Sequence, residues 1–206
     1  MPVTKTTREC YEVREGRPGG EWANITLACW DNPPQPGYTR TSMYYGGEIQ
    51  IHSSFGSWGH AWNACAVPFK QFLIGAEFDY VFTKFMGTKL DCFDGDASAR
   101  EVGKWIVEGR RSGGMSKAEA REAWAAFEDV RSMAEYSEHD FGVAMMDVAR
   151  SLDDRHPMHD NFADPCGWPR CTRYDYQAAG FWKRLWPLFC DALQQEAAAK
   201  TELQPA

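Results

Sequence analysis

The hydrophobic period of this chain changes once, near residue 66, and that switch limits the fold more than any other feature. Before it the period is two. Glu9–Arg14 alternates weakly, and Asn24–Cys29 alternates cleanly with Ile25, Leu27 and Cys29 on one face. Tyr38–Tyr45 is rich in β-branched and aromatic residues, and Glu48–His52 alternates with Ile49 and Ile51 inward. Breakers separate these runs: Gly16–Gly20, Asn32–Gly37 and Gly46-Gly47. A Gly-Gly pair between strand-like runs predicts a tight hairpin, because a type I′ turn needs positive φ at both central residues. The reading is four strands, mostly antiparallel and connected in sequence.

After residue 66 the period is helical. Pro68 suits a first helical turn. Phe69, Phe72, Leu73, Ala76 and Tyr80 form one apolar stripe, and Ile74, Phe78, Val81 and Phe85 form a second. Two stripes predict one buried helix over 68–86, ended by Gly87. Ser98–Glu101 and Ser116–Glu119 read as capping boxes. The second opens a helix with Ala120, Trp124, Phe127 and Val130 on one face. Phe141, Met145, Val148 and Leu152 make a further stripe, residues 153–176 read as irregular, and a last helix covers about 176–198. Pro187 inside it predicts a kink, or a second helix opened by the proline. The fold class is α+β: an N-terminal antiparallel meander of about four strands packed against a C-terminal portion of about five helices. One domain is expected over 1–206, with a β-rich portion over 1–66, a helical portion over 67–200 and a frayed tail over 201–206.

Composition narrows the class. Hydrophobic residues are 44% and charged residues 25%, which excludes a wholly disordered chain. No run approaches the roughly 18 apolar residues of a membrane span. The N-terminal MPVTKTTRECYEVREG has no apolar stretch for a signal peptide, so the expected location is the cytoplasm. With 22 basic and 29 acidic residues the net charge is −7, which argues against a broad phosphate footprint. A surface of that sign suits a basic partner, and it is equally the default of a soluble protein. The seven cysteines are odd in number, so a disulfide framework is not expected, and Cys29, Cys65 and Cys190 read as small core residues. Nine tryptophans are too many for all to be fully buried.

Four patterns could carry chemistry. His156, His159, Cys166 and Cys171 offer two imidazoles and two thiols in one loop, the donor set of a structural zinc site, although His-x₂-His and Cys-x₄-Cys only approximate its usual spacing. No other cofactor is expected. Ser53–Trp62 places Ser54 or Ser57 near His60, but it lacks the first glycine of a nucleophile elbow and any third member. Its Trp58 and Trp62 lie four apart and share a face if 58–62 forms a helical turn, with Trp62 inward and Trp58 either inward or free to anchor a partner. Asp91, Asp94 and Asp96 fail the register of a calcium loop, and Asp96 with Ser98 reads as the surroundings of a helix N-terminus. Trp168, Arg170, Arg173 and Tyr174 interleave aromatics with arginines, a pattern that stacks on single strands or anchors a partner.

The stretch IQIHSSFGSWGHAWNACAVPFKQFLIGAEFDYVFTKFM, residues 49–86, resembles small accessory proteins encoded by tailed phages and prophages. The resemblance implies no catalytic residues. It implies a non-enzymatic protein that binds a host protein and inhibits or redirects it, including a defence assembly of the CRISPR type. Trp58, Trp168, Arg170 and Arg173 are then the candidate contacts. The alternative is a zinc-stapled domain that touches nucleic acid through residues 156–174.

Overall fold

The alternating N-terminal segment pairs into a four-stranded antiparallel sheet in simple order β1-β2-β3-β4. The strands are β1 (Glu9–Arg14), β2 (Trp22–Asn32), β3 (Tyr44–Ser53) and β4 (Gly56–Cys65). A computed structural model describes residues 6–32 and 43–202, and these fall into two units. The first combines residues 1–90 with 174–206, and the second is the stretch 91–173.

In the first unit the register sets Ile25 opposite Ile51 and Leu27 opposite Ile49, so the inward positions of neighbouring strands meet. Val13, Ala23, Ile25, Leu27, Ile49 and Ile51 are all buried. Four helices cover them: α1 (Phe69–Gly75), α2 (Phe78–Met86), α7 (Tyr176–Arg184) and α8 (Trp186–Glu202). They supply Phe69, Leu73, Val81, Phe82, Phe181 and Phe189 to the same core. Phe82 is its hub, with ring centroids at 5.2 Å from Trp58, 5.1 Å from Phe78 and 6.2 Å from Phe181. Pro187 is the second residue of α8, where an absent N–H costs little, and Leu185 breaks the path between α7 and α8.

Several local expectations are corrected. Gly46-Gly47 is no hairpin but the interior of β3, paired with Trp30 and Cys29. The glycines are there for space: a Cβ on Gly47 would sit 2.0 Å from the Phe69 ring, and one on Gly46 would sit 2.2 Å from the Trp30 indole. The expected strand from Tyr38 lies mostly outside the described residues, and its last members begin β3 after all. The fourth strand is instead Gly56–Cys65, joined to β3 at Ser53–Gly56, so 58–62 is extended and not a helical turn. Trp58 and Trp62 still share the inward face, because positions four apart do so in a strand as well. Trp62 is buried, and its Nε1 donates to the Tyr80 hydroxyl at 3.0 Å. The single helix expected over 68–86 breaks at Ala76 and Glu77, both extended, and the break aims the two stripes separately. Gly87, with φ 59°, does end α2. Cys65 and Cys190 are buried, but Cys29, at the end of the inward row, is exposed.

Two ionic clusters tie the helices to the sheet. Lys70 on α1 donates to Glu9, to the Tyr11 hydroxyl at 2.6 Å and to Glu196 on α8 at 2.6 Å. Burial works against its charge, but these three partners outweigh burial and raise its pKa. Arg184 on α7 holds both oxygens of Glu15 at 2.6 Å and Glu21 at 2.8 Å, closing over the β1–β2 hairpin.

The second unit contains α3 (Gly95–Arg111), α4 (Lys117–Ala134), α5 (Glu138–Ser151) and the short α6 (His159–Ala163), with a small ladder of β5 (Asp91–Phe93) and β6 (Thr172–Tyr174), of which only Tyr174 belongs to the first unit. So 153–176 is less irregular than expected. The Ser116–Glu119 capping box is present. The expected box at Ser98 is not: Asp94 caps α3 by accepting from Ala97 N–H at 2.9 Å. The helix therefore starts a turn earlier, and Ser98 is buried inside it, accepting from Cys171 N–H at 2.9 Å. Phe141, Met145, Val148 and Leu152 are all buried, as their stripe requires. Thr201 and Glu202 close α8, and the rest of the expected tail lies outside the described residues.

Replacing Trp62 by Ala should destabilise the protein by roughly 3–5 kcal/mol. A thermal melt should then show a midpoint lower by roughly 10 °C. An unchanged melt would contradict its place in this core. Acid should also weaken the first unit. Arg184 lowers the pKa of Glu15 from 4.5 to about 2, so folded Glu15 takes up its proton later than unfolded Glu15 does. Its contribution is complete above about pH 4.5 and fades as the pH falls towards 2. Stability measured across that window should fall less steeply in Arg184→Gln than in the parent, with a residual slope from Glu9 and Glu48, whose pKa values are also lowered.

Candidate functional site

The residues singled out by sequence reach quite different environments. Trp58 is half-buried, with its ring edge-on to Phe82 at 5.2 Å and Phe181 at 5.4 Å, so it packs the core of the first unit. Trp168 is only 9% exposed, and its Nε1 donates to the Phe162 carbonyl at 3.0 Å. Arg170 does meet it, lying 5.9 Å from the ring centre and 3.4 Å from the Glu138 carboxylate. These residues border a hollow of about 500 Å³ with His139, Val143 and Met146. Arg173 is exposed on β6.

The four candidate zinc ligands are not brought together. His156 is buried and both ring nitrogens are engaged: Nδ1 accepts from Met158 N–H at 3.1 Å, which leaves Nε2 to donate to the Glu119 carbonyl at 3.0 Å. His159 lies beside Asp160 at 3.3 Å and Asp154 at 3.6 Å. Cys166 is exposed, with its backbone N–H on Asp164, while Cys171 is held against Ser98. Among the described residues no three His, Cys, Asp or Glu side chains are grouped to hold a metal.

The serine–histidine reading divides in the same way. Ser57 and His60 differ by an odd number of residues and occupy opposite faces of β4. Ser54 donates to Glu21 at 2.6 Å. His60 is half-buried with its ring against Trp62, and burial first, then nearby Lys84, lowers its pKa. Ser57 lies instead 2.8 Å from Nδ1 of His52, on the exposed outer face of the sheet.

The feature that sequence reasoning missed lies between α3 and α4. Trp124 was expected on the inward face with Ala120 and Phe127, yet it is 41% exposed. Its ring lies over the seam against Gly103, where a Cβ would meet it at 3.3 Å. On either side of the indole the seam sinks into a hollow, of about 370 Å³ and 360 Å³. Ala99, Gly103 and Phe127 floor the first, which is rimmed by Arg100, Lys104, Arg111 and Arg131, with Glu108 as its acidic member. Ile106, Val107 and Ala120 floor the second, which is rimmed by Arg110, Arg111, Lys117 and Arg121.

This second unit carries 11 Lys and Arg against 17 Asp and Glu, yet seven of the 11 line this one seam. Lys104 and Arg131 have carboxylate neighbours on their own helices. Among the described residues Arg100, Arg110, Arg111, Lys117 and Arg121 have no ion-pair partner within 4.0 Å. The signal was present as spacing: Arg100, Lys104 and Arg111 share one helical face, as do Lys117, Arg121, Trp124 and Arg131.

The sequence profile of a phage family matches residues 1–195. The chain belongs to that phage family. The match runs through both units of this phage protein, well beyond the resemblance read at residues 49–86. No curated protein and no solved structure matches it. No helix among the described residues is long and apolar enough to cross a membrane.

If the loop is held by its own hydrogen bonds, a strong chelator should leave the melting temperature of the purified phage protein unchanged, and elemental analysis should find well under one equivalent of zinc. A melt that drops on chelation would show that His156, His159, Cys166 and Cys171 meet on a metal.

Proposed function

We propose that this phage protein is a non-enzymatic binding protein that engages a host protein and inhibits or redirects it, with the α3–α4 seam as its contact surface. The observation that carries the reading is Trp124, a large exposed indole set over an apolar floor and ringed mainly by cations without partners. Tryptophan and arginine dominate the energetics of protein interfaces, and they do so where apolar area and charge lie side by side. Membership of a phage family supports a host component as the target. The narrower form of the proposal, drawn from the resemblance to phage accessory proteins, is that the target belongs to a defence assembly of the CRISPR type. Trp168 and Arg170 border a separate hollow and are available as a secondary contact.

Tagged protein passed through host lysate should retain one dominant protein, and Trp124→Ala should release it while melting normally, since the indole is exposed. Retention of no partner by the parent protein would defeat the binding reading. Expression in a host with active CRISPR immunity should raise the plaquing efficiency of a targeted phage. Unchanged plaquing, beside a captured partner, would remove the defence assembly and leave the binding.

A further inference from the structure

We infer that the α3–α4 seam takes an acidic amphipathic helix of its partner protein, with the partner's apolar face on the seam floor and its carboxylates on the rim. This rests on the binding reading above and names the chemistry of the bound segment.

Three observations set the occupant. The floor is built from Ala99, Gly103, Ile106, Val107 and Phe127, so it rewards alkyl side chains. The rim is predominantly cationic on both hollows, and Arg111 borders both of them. The two hollows follow one another along α3 from Ala99 to Arg111, which at 1.5 Å per residue is a length of roughly 18 Å, or about three helical turns. A groove of that length with an apolar floor is the setting in which a helix docks through residues at i, i+3, i+4 and i+7. Trp124 stands between the hollows and fits between two such anchors.

Single-stranded nucleic acid meets the same rim less well. Sequence-tolerant binding of a strand uses several aromatic platforms for successive bases. Here one exposed indole is flanked by a floor whose other ring, Phe127, is buried. A strand also carries charge on every nucleotide, and the remainder of this unit is strongly acidic. An acidic helix confines its charge to the flanks, where the unpaired arginines are. In an otherwise negative surface the seam is a local positive field that orients such a segment before contact.

The test uses the full chain and a fluorescein-labelled synthetic peptide of about four turns, with leucines at i, i+3, i+4 and i+7 and glutamates elsewhere. Matched probes replace every glutamate by glutamine or by lysine, and a labelled oligothymidylate of similar length stands for nucleic acid. Fluorescence anisotropy should show the glutamate peptide binding at least about tenfold tighter than the glutamine peptide at low salt, with the ratio shrinking as salt rises. Trp124→Ala and Arg111→Glu should each weaken the glutamate peptide by about tenfold or more, whereas Lys183→Glu, on an exposed position of α7 that lines neither hollow, should not. Circular dichroism melts of the three variants should match the parent, so that a lost fold is not read as lost binding. Equal binding of glutamate and glutamine peptides, tighter binding of oligothymidylate, or indifference to Arg111→Glu would each overturn the inference. If no peptide binds but Trp124→Ala still releases the captured host protein, the acidic helix is wrong and the binding reading stands. If Trp124→Ala affects neither peptide nor host protein, the seam is the wrong surface for both.

Discussion

The contact between Phe82 and Phe181, with ring centroids 6.2 Å apart, joins two stretches of the first unit that are separated in sequence by all of the second. Trp58 on β4 touches both rings, so sheet, early helices and late helices share one aromatic centre. The sheet alone has an apolar face that water would meet, and α1 and α2 cover only some of it. The rest is covered by α7 and α8, which bring Phe181, Leu185, Phe189 and Leu193 from the far end of the chain. Burial of this one face is what makes the late helices necessary, and Lys70 and Arg184 lock them to β1 and to the β1–β2 turn through charge-assisted hydrogen bonds.

Much of this architecture was legible in the chain. Ile25, Leu27, Ile49 and Ile51 alternate because one sheet face is dry, and Phe141, Met145 and Val148 repeat because one helix face is. Caps were legible where the side chain acts locally, as at Ser116, and misplaced where a nearby aspartate does the same work, as at Asp94. The fourth strand was hidden for a clear reason. Its inward residues are Trp58, His60 and Trp62, while its outward residues include Ser57, Gly59 and Ala61, so the contrast that marks alternation is weak. Gly46-Gly47 misled because glycine has two uses. It permits turns, and it makes room, and only the three-dimensional position of the Phe69 and Trp30 rings tells which use applies.

The proposed contact surface was less legible than the fold. Net charge is a sum over the chain, and it hides where the charges are placed. A count of −7 discourages any thought of a basic surface, although helical spacing sets seven cations along one seam. Trp124 was misplaced because Ala120 and Phe127 lie on the same arc of α4. The arc is wide enough for its centre to enter the core while one margin emerges at α3. In the His156–Cys171 segment donor types at suggestive spacing have a second use, for both ring nitrogens of His156 engage backbone groups that a loop must satisfy anyway.

The chain leaves the first unit at Leu90 and re-enters it beside the same point, for the N–H of Asp175 donates to the Leu90 carbonyl at 2.8 Å. During synthesis the four strands and two early helices are therefore made first and must wait, with Phe82 uncovered, while the ribosome completes residues 91–173. Only then do α7 and α8 emerge to close the core. A premature stop shortly after residue 90 removes none of the four strands, yet it leaves the oldest portion of the molecule unfinished and its apolar face open to aggregation or chaperone capture. In this protein the last helices made decide whether the first strands survive.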